Sequence, residues 1–270
     1  MKFALQDKLT GLKNYAEIFE AAKSLGFDGV EITHFEGPIN KETSRSILNA
    51  SHATGIQASA VCGGYNHWIG DFDKSNRLEA VQGIKTSLQY TAEIGAQGLI
   101  APAAYGMFSR KLPPFISPRN EEDDRKALLD SLARIAEDAE KLNVTLFLEP
   151  LNRYEDHMLN TVSQAVSLVK EVGSDKIKVM ADFFHMSIEE PNIEETIALY
   201  HPYIGYYHLA DSNRLEPGKG HTDFAGPLAL LKKFQYKGFL SYECGLSGEA
   251  RKSLMDSITF LKNTQKIVHI

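Results

Sequence analysis

Cysteine is scarce: Cys62 and Cys244 are the only two in 270 residues, and they stand far apart. That leaves no disulfide framework and no CxxC metal or redox pair. Long apolar runs are also missing; none approaches the roughly 20 residues that span a bilayer. The opening segment, MKFALQDKLTGLKN, turns polar too early for the apolar core of a secretory signal. A cytoplasmic protein with no membrane contact is the expectation. Basic clusters are absent as well. With 29 Lys and Arg against 35 Asp and Glu, the formal charge is −6 and no Lys/Arg-rich run interrupts it. Such a balance gives no support to a protein that grips nucleic-acid phosphates. No linker, low-complexity tract or sequence repeat divides the chain.

What the chain does contain is a regular alternation. Eight strand-like segments, MKFALQ, DGVEITH, QASAVCG, GLIAPAA, VTLFLEP, KVMADF, GYYHLA and FLSYEC, are separated by stretches with helical periodicity. The clearest helix is EEDDRKALLDSLARIAEDAEKLN. There Leu128, Leu129, Leu132, Ile135, Ala136, Ala139 and Leu142 form one apolar stripe, the first turn is acidic and Asn143 is a left-handed stop. Gly26 ends an earlier helix in the same way. Eight β/α units in a chain of this length predict a single (β/α)8 TIM barrel over residues 1–270. A doubly wound open sheet is the alternative, but no Gly-rich dinucleotide fingerprint follows the first strand.

The chemistry concentrates where the last four strands end. Glu149, Asp182, His208 and Glu243 close the runs VTLFLE, IKVMAD, IGYYH and FLSYE. A carboxylate at the end of a buried strand is costly unless it is paired, hydrogen-bonded or bound to metal. One such residue is ordinarily a rim or salt-bridge residue, whereas four on consecutive strand ends predict a metal site. Oxygen and nitrogen donors without thiolate suit one divalent ion such as manganese, cobalt or magnesium, and zinc remains compatible.

Three further polar residues follow these strands: Glu155, His185 and Arg214. Each stands where it reaches a bound polyol, although Arg214 pairing with Asp211 and His185 capping the next helix are plain structural alternatives. Long segments follow the third, fourth and seventh strands. The first two carry Tyr65, Trp68, Phe72, Tyr105, Phe108 and Phe115, either as a partly apolar lid or as loop packing. In the third, Gly218, Lys219, Gly220 and His221 form either a phosphate turn or an ordinary one. His34 and His221 are possible pocket residues, as are Trp68 and Tyr105. Glu31 reads as a buried structural acid inside the barrel with a basic partner. His52 and His269 carry no functional argument.

The segments EPLNRYE, ADFFHM, HLADSNR and SYE resemble the xylose-isomerase-like TIM-barrel superfamily of sugar isomerases and epimerases. Within it they look most like ketose 3-epimerases of the D-tagatose and D-psicose type. The resemblance implies that Glu149, Asp182, His208 and Glu243 hold the metal, and that Glu155, His185 and Arg214 contact substrate hydroxyls. It also implies that Glu149 and Glu243 act as the two bases and that Cys62 and Gly63 line the sugar pocket. The implied partner is a small sugar, a ketose that is free or phosphorylated, and relatives are commonly homodimers or homotetramers. The expected reaction is C3 epimerisation of a ketose through an enediolate. Aldose–ketose or hydroxypyruvate-type isomerases, sugar-phosphate epimerases and inosose dehydratases share the same motifs and remain alternatives. Metal nucleases resembling endonuclease IV share the barrel too, but they need three zinc ions and extra histidines. The fourth strand here ends in APAAY, without histidine.

Overall fold

A computed structural model describes residues 1–108 and 116–267. Phe115 and His269 lie outside the described residues. Eight parallel strands close into a barrel in sequence order: β1 Lys2–Gln6, β2 Gly29–His34, β3 Gln57–Gly63, β4 Gly98–Pro102, β5 Thr145–Glu149, β6 Ile177–Asp182, β7 Ile204–Leu209 and β8 Phe239–Tyr242. The predicted TIM barrel is the observed fold. Around it run α1 Tyr15–Leu25, α2 Lys41–Thr54, α3 Lys74–Glu93, α4 Glu121–Leu142, α5 Val162–Val172, α6 Phe183–Glu189, α7 Ile193–Tyr200, α8 Ala225–Lys233 and α9 Ala250–Ile267. No helix among the described residues is long and apolar enough to cross a membrane.

The helix signals read from the sequence act as expected. Asn120 caps α4 by accepting from the Asp123 amide, and Asn143 stops the helix at φ 56°. Gly26 ends α1 at φ 87°. A large apolar cluster seals strands to helices, and a smaller one, Ala4, Ala60, Ile100, Phe147, Met180, Tyr206 and Phe239, fills the barrel itself. The Phe147 and Tyr206 rings stack at 5.1 Å across that interior.

Strand alternation converts this plug into a platform for the site. Side chains two apart on a strand share a face. Phe147 and Met180 therefore put Glu149 and Asp182 inside, one step nearer the C-terminal mouth, and Tyr206 does the same for His208. Asp182 and His208 are direct register partners on β6 and β7, and His208 in turn pairs with Ser241 on β8.

At the rim of β3, Gly63 has φ 96°, and a Cβ there would run into the His34 carbonyl oxygen. Both the backbone angle and the contact demand glycine. Gly63→Ala is expected to cost about 2 kcal/mol or more, read as a fall of several degrees in the melting temperature of the whole protein.

Candidate metal centre and active site

The barrel gathers all four predicted strand-end residues. One ligand atom from each of Glu149, Asp182, His208 and Glu243 lies within 4.8 Å of all the others. His208 Nδ1 is 3.0 Å from Glu243 Oε2, 3.7 Å from Asp182 Oδ2 and 3.8 Å from Glu149 Oε1. Despite that crowding, His208 Nδ1 and Glu149 Oε1 are buried without a hydrogen-bond partner. Buried polar atoms are almost always satisfied, and a cation between these two would satisfy both. Three carboxylates and one imidazole are the donors of a divalent-metal site, so the residues fit the expected ion.

The remaining lone pairs are held by the protein. Asp182 Oδ1 caps α6, accepting from the Phe184 amide at 2.7 Å and the His185 amide at 3.4 Å. Glu243 Oε1 accepts from Gln6 Nε2 at 2.9 Å. The other face of His208 is fixed by Glu31, whose carboxylate lies 2.9 and 3.1 Å from Nε2. Glu31 also accepts from Gln6 Nε2 at 2.8 Å and from the Tyr206 hydroxyl at 2.9 Å. The expected basic partner of this buried acid is thus His208. A proton on Nε2 leaves Nδ1 free for metal. Glu31→Gln should keep the fold but weaken manganese binding by about 10- to 100-fold, measured by calorimetric titration.

Arg214 does not pair with Asp211. Its guanidinium bridges Asp182 Oδ2 at 2.6 Å and Glu243 Oε2 at 2.5 Å, and it lies 4.7 Å from the centre of the Phe184 ring. Its backbone takes φ 60°, a left-handed conformation uncommon for a long side chain. Asp211 instead organises the loop after β7, accepting from the amides of Ser212, Gly218 and Thr222. Within the turn Gly218–His221, the Gly218 amide is therefore directed onto a carboxylate and the His221 amide onto the Ser212 hydroxyl.

Charge is unevenly distributed over the site. Burial pushes the Glu149 carboxyl well above the usual carboxylate range, and the Glu243 carboxylate adds to the shift. For Glu243 burial acts the same way, but His208 and Arg214 outweigh it and hold the group well below that range. Burial likewise opposes ionisation of Asp182, and Arg214 and His185 overcome it, lowering its pKa. Burial alone would depress His208; Glu31 and Glu243 reverse that and raise it.

A cavity of about 580 Å³ opens above the cluster. Glu149, Glu155, His185, Arg214, Glu243, Cys62, Trp68 and Tyr105 all line it, while Asp182 and His208 are too deeply buried to do so. His185 sits in the first turn of α6 without capping it; its Nδ1 accepts from the Asn152 amide at 3.1 Å. Asn152 also donates to Glu155 Oε1 at 2.9 Å.

Other expectations need correction. His34 and Gly63 are not among the lining residues; Gly63 serves the β3 turn through its backbone. His221 lines a separate cavity of about 370 Å³, with Nδ1 2.8 Å from Ser212 Oγ. The aromatic residues divide as well. Trp68 and Tyr105 face the cavity edge to face at 5.8 Å, whereas Phe72 and Phe108 pack around His157. Lys8, Phe35, Pro102, Leu151 and Cys244 line the cavity without any sequence motif to announce them.

Comparison with known proteins accounts for this arrangement. The model of the xylose isomerase-like TIM barrel family matches residues 19–264. The chain belongs to that family. It is 36% identical over 263 residues to 3-dehydro-D-guloside 4-epimerase of Escherichia coli strain K12, covering 97% of this chain and 99% of that one. It is 31% identical over 232 residues to L-ribulose 3-epimerase of Mesorhizobium japonicum, covering 82% and 72%. Among solved structures, the apo form of 3-keto-D-glucoside 4-epimerase from E. coli superimposes with a TM-score of 0.92 at 35% identity, over 97% of this chain and 99% of that one. The relatives matched over most of the chain are epimerases, which places this chain among the isomerases.

Proposed function

We propose that the protein is a divalent-metal-dependent sugar epimerase that inverts the carbon beside a keto group, with Glu149 and Glu243 as alternating bases. The observation that carries this reading is the four-residue cluster with its two orphaned buried atoms at the floor of a sugar-sized cavity. The names of the relatives agree on the chemistry. A 3-dehydro sugar epimerised at C4 and a 2-ketose epimerised at C3 both lose a proton from the carbon next to the carbonyl.

When bound, the divalent ion supplies Lewis acidity to the carbonyl and neighbouring hydroxyl oxygens. Glu149, Asp182, His208 and Glu243 would hold it. Removing the proton leaves its electron pair in an enediolate, and a carboxyl on the other side must return a proton to invert the centre. One glutamate therefore begins ionised and the other protonated, and they exchange states in each turnover. Glu149 at the end of β5 and Glu243 just beyond β8 stand three strands apart around the mouth, which suits that division. Arg214, already charge-paired with Glu243, and the Asn152-positioned pair Glu155 and His185 would orient the sugar hydroxyls.

The position of the keto group is the remaining choice. A relative 36% identical over 97% of this chain is named as acting on a 3-dehydro guloside, which favours C4 inversion of such a glycoside. C3 inversion of a free ketose is the second reading, supported by the L-ribulose relative. A panel of 3-keto glycosides and free ketoses in deuterated water with manganese tests both. Deuterium entering one carbon together with its epimer is expected; aldose products, or no exchange with any keto sugar, would overturn the reading.

A further inference from the structure

The cavity has two unlike halves. Strands β5 to β8 supply its acidic wall, Glu149, Glu155 and Glu243 with His185 and Arg214. The opposite half, from the ends of β1 to β4, is built from Lys8, Phe35, Cys62, Trp68, Pro102 and Tyr105. None of these is needed to hold the metal or move the proton, yet they form half of the mouth.

Two features of this half are costly in the free protein. Phe35 is 63% exposed and Tyr105 is 49% exposed, both at a cavity edge. Tyr105 is braced by Trp68, and Trp68 in turn meets Tyr65 edge to face at 6.0 Å. Large exposed apolar faces gathered at a cleft mark a surface that is covered during function. Lys8 stands over Phe35 with its Nζ 6.0 Å from the ring centre. Its amide is held by Asp7, whose carboxylate is otherwise occupied by Thr33, and Nζ itself meets no carboxylate among the described residues. Arg214, which also lines the cavity, is consumed by Asp182 and Glu243. Among the described residues, Lys8 is thus the one cavity-lining Lys or Arg without a carboxylate partner. In the turn after β7 the Gly218 amide is taken by Asp211 and the His221 amide by Ser212.

We propose, building on the epimerase reading, that the β1–β4 half of the mouth is a subsite for the substituent of the reacting sugar. Phe35 and Tyr105 flank that substituent, and Lys8 selects one bearing an anionic group. A lone ketose held against the acidic wall would leave the aromatic shelf bare; a glycoside covers it. The anion is a carboxylate or a phosphate, since an ammonium recognises either as a point charge.

Binding of paired probes tests this without turnover. The intact, manganese-loaded protein is titrated with phenyl β-D-glucoside and p-carboxyphenyl β-D-glucoside, and separately with fructose and fructose 6-phosphate. An exposed lysine is expected to favour the anionic member of a pair by about 5- to 10-fold at low salt, and the preference should shrink as salt is raised. Lys8→Met should collapse that ratio towards 1, and Phe35→Ala should weaken both phenyl glucosides together. Preference confined to the first pair identifies a carboxylated aglycone; preference confined to the second identifies a phosphate ester. Equal binding within both pairs, or a ratio that survives Lys8→Met, overturns the subsite. Neither result touches the epimerase reading, which stands or falls on proton exchange with keto sugars.

Discussion

Glu243→Gln should lower epimerisation by about 10³-fold at saturating manganese, the scale of removing a general base, yet leave half of the chemistry intact. With one base gone, the remaining carboxylate still faces one side of the reacting carbon. One substrate epimer should therefore exchange its proton for deuterium without inverting, and the other should not. Glu149→Gln should show the same loss with the opposite epimer exchanging. Nuclear magnetic resonance of each epimer in deuterated water reads this directly. If both variants exchange the same epimer, or either epimerises at the native rate, the two-base assignment fails. The two glutamates are not equivalent at the outset: both oxygens of Glu243 are bonded, to Gln6 and Arg214, whereas Glu149 Oε1 is buried without a partner.

Asp182→Asn separates metal binding from folding. The side chain does two jobs with two oxygens: Oδ1 caps α6 and Oδ2 faces His208 and Arg214. Asparagine keeps a carbonyl for the cap but loses the charge, so the melting temperature should shift by only a few degrees. Manganese affinity should fall by at least about 100-fold, beyond the usual loss for a residue that merely supports a ligand. Asp182→Ala also removes the cap and should cost about 1 kcal/mol more in stability. Calorimetric titration beside thermal unfolding distinguishes the two effects. Native affinity in Asp182→Asn would remove this residue from the metal centre.

The strand-end cluster was legible in the sequence because barrel topology does the assembling. Strand ends in a closed parallel barrel meet at one mouth, so four polar residues each closing an apolar run needed no long-range information to be grouped. Glu31 was legible only as a buried acid. Its partner His208 stands on the opposite side of the barrel, and strand register across the interior is not written in local sequence. Gln6 was missed for the same reason: a lone glutamine at the end of the first strand carries no motif, although it touches both Glu31 and Glu243. Lys8 and Phe35 are invisible to pattern reading because they are ordinary residues in short connections, and only closure of the first strands against the last brings them to the cavity. His221 and the turn around Gly218 were ambiguous in the sequence. Their composition suits phosphate or a plain turn, and the structure directs the Gly218 amide onto Asp211 and the His221 amide onto Ser212.

The most direct measurement of the central claim is the metal stoichiometry of that cluster. Chelator-stripped protein titrated with manganese should show one saturable site per chain, and His208→Ala should abolish it while leaving the barrel folded. Two or three ions per chain, or undiminished binding in His208→Ala, would contradict the account.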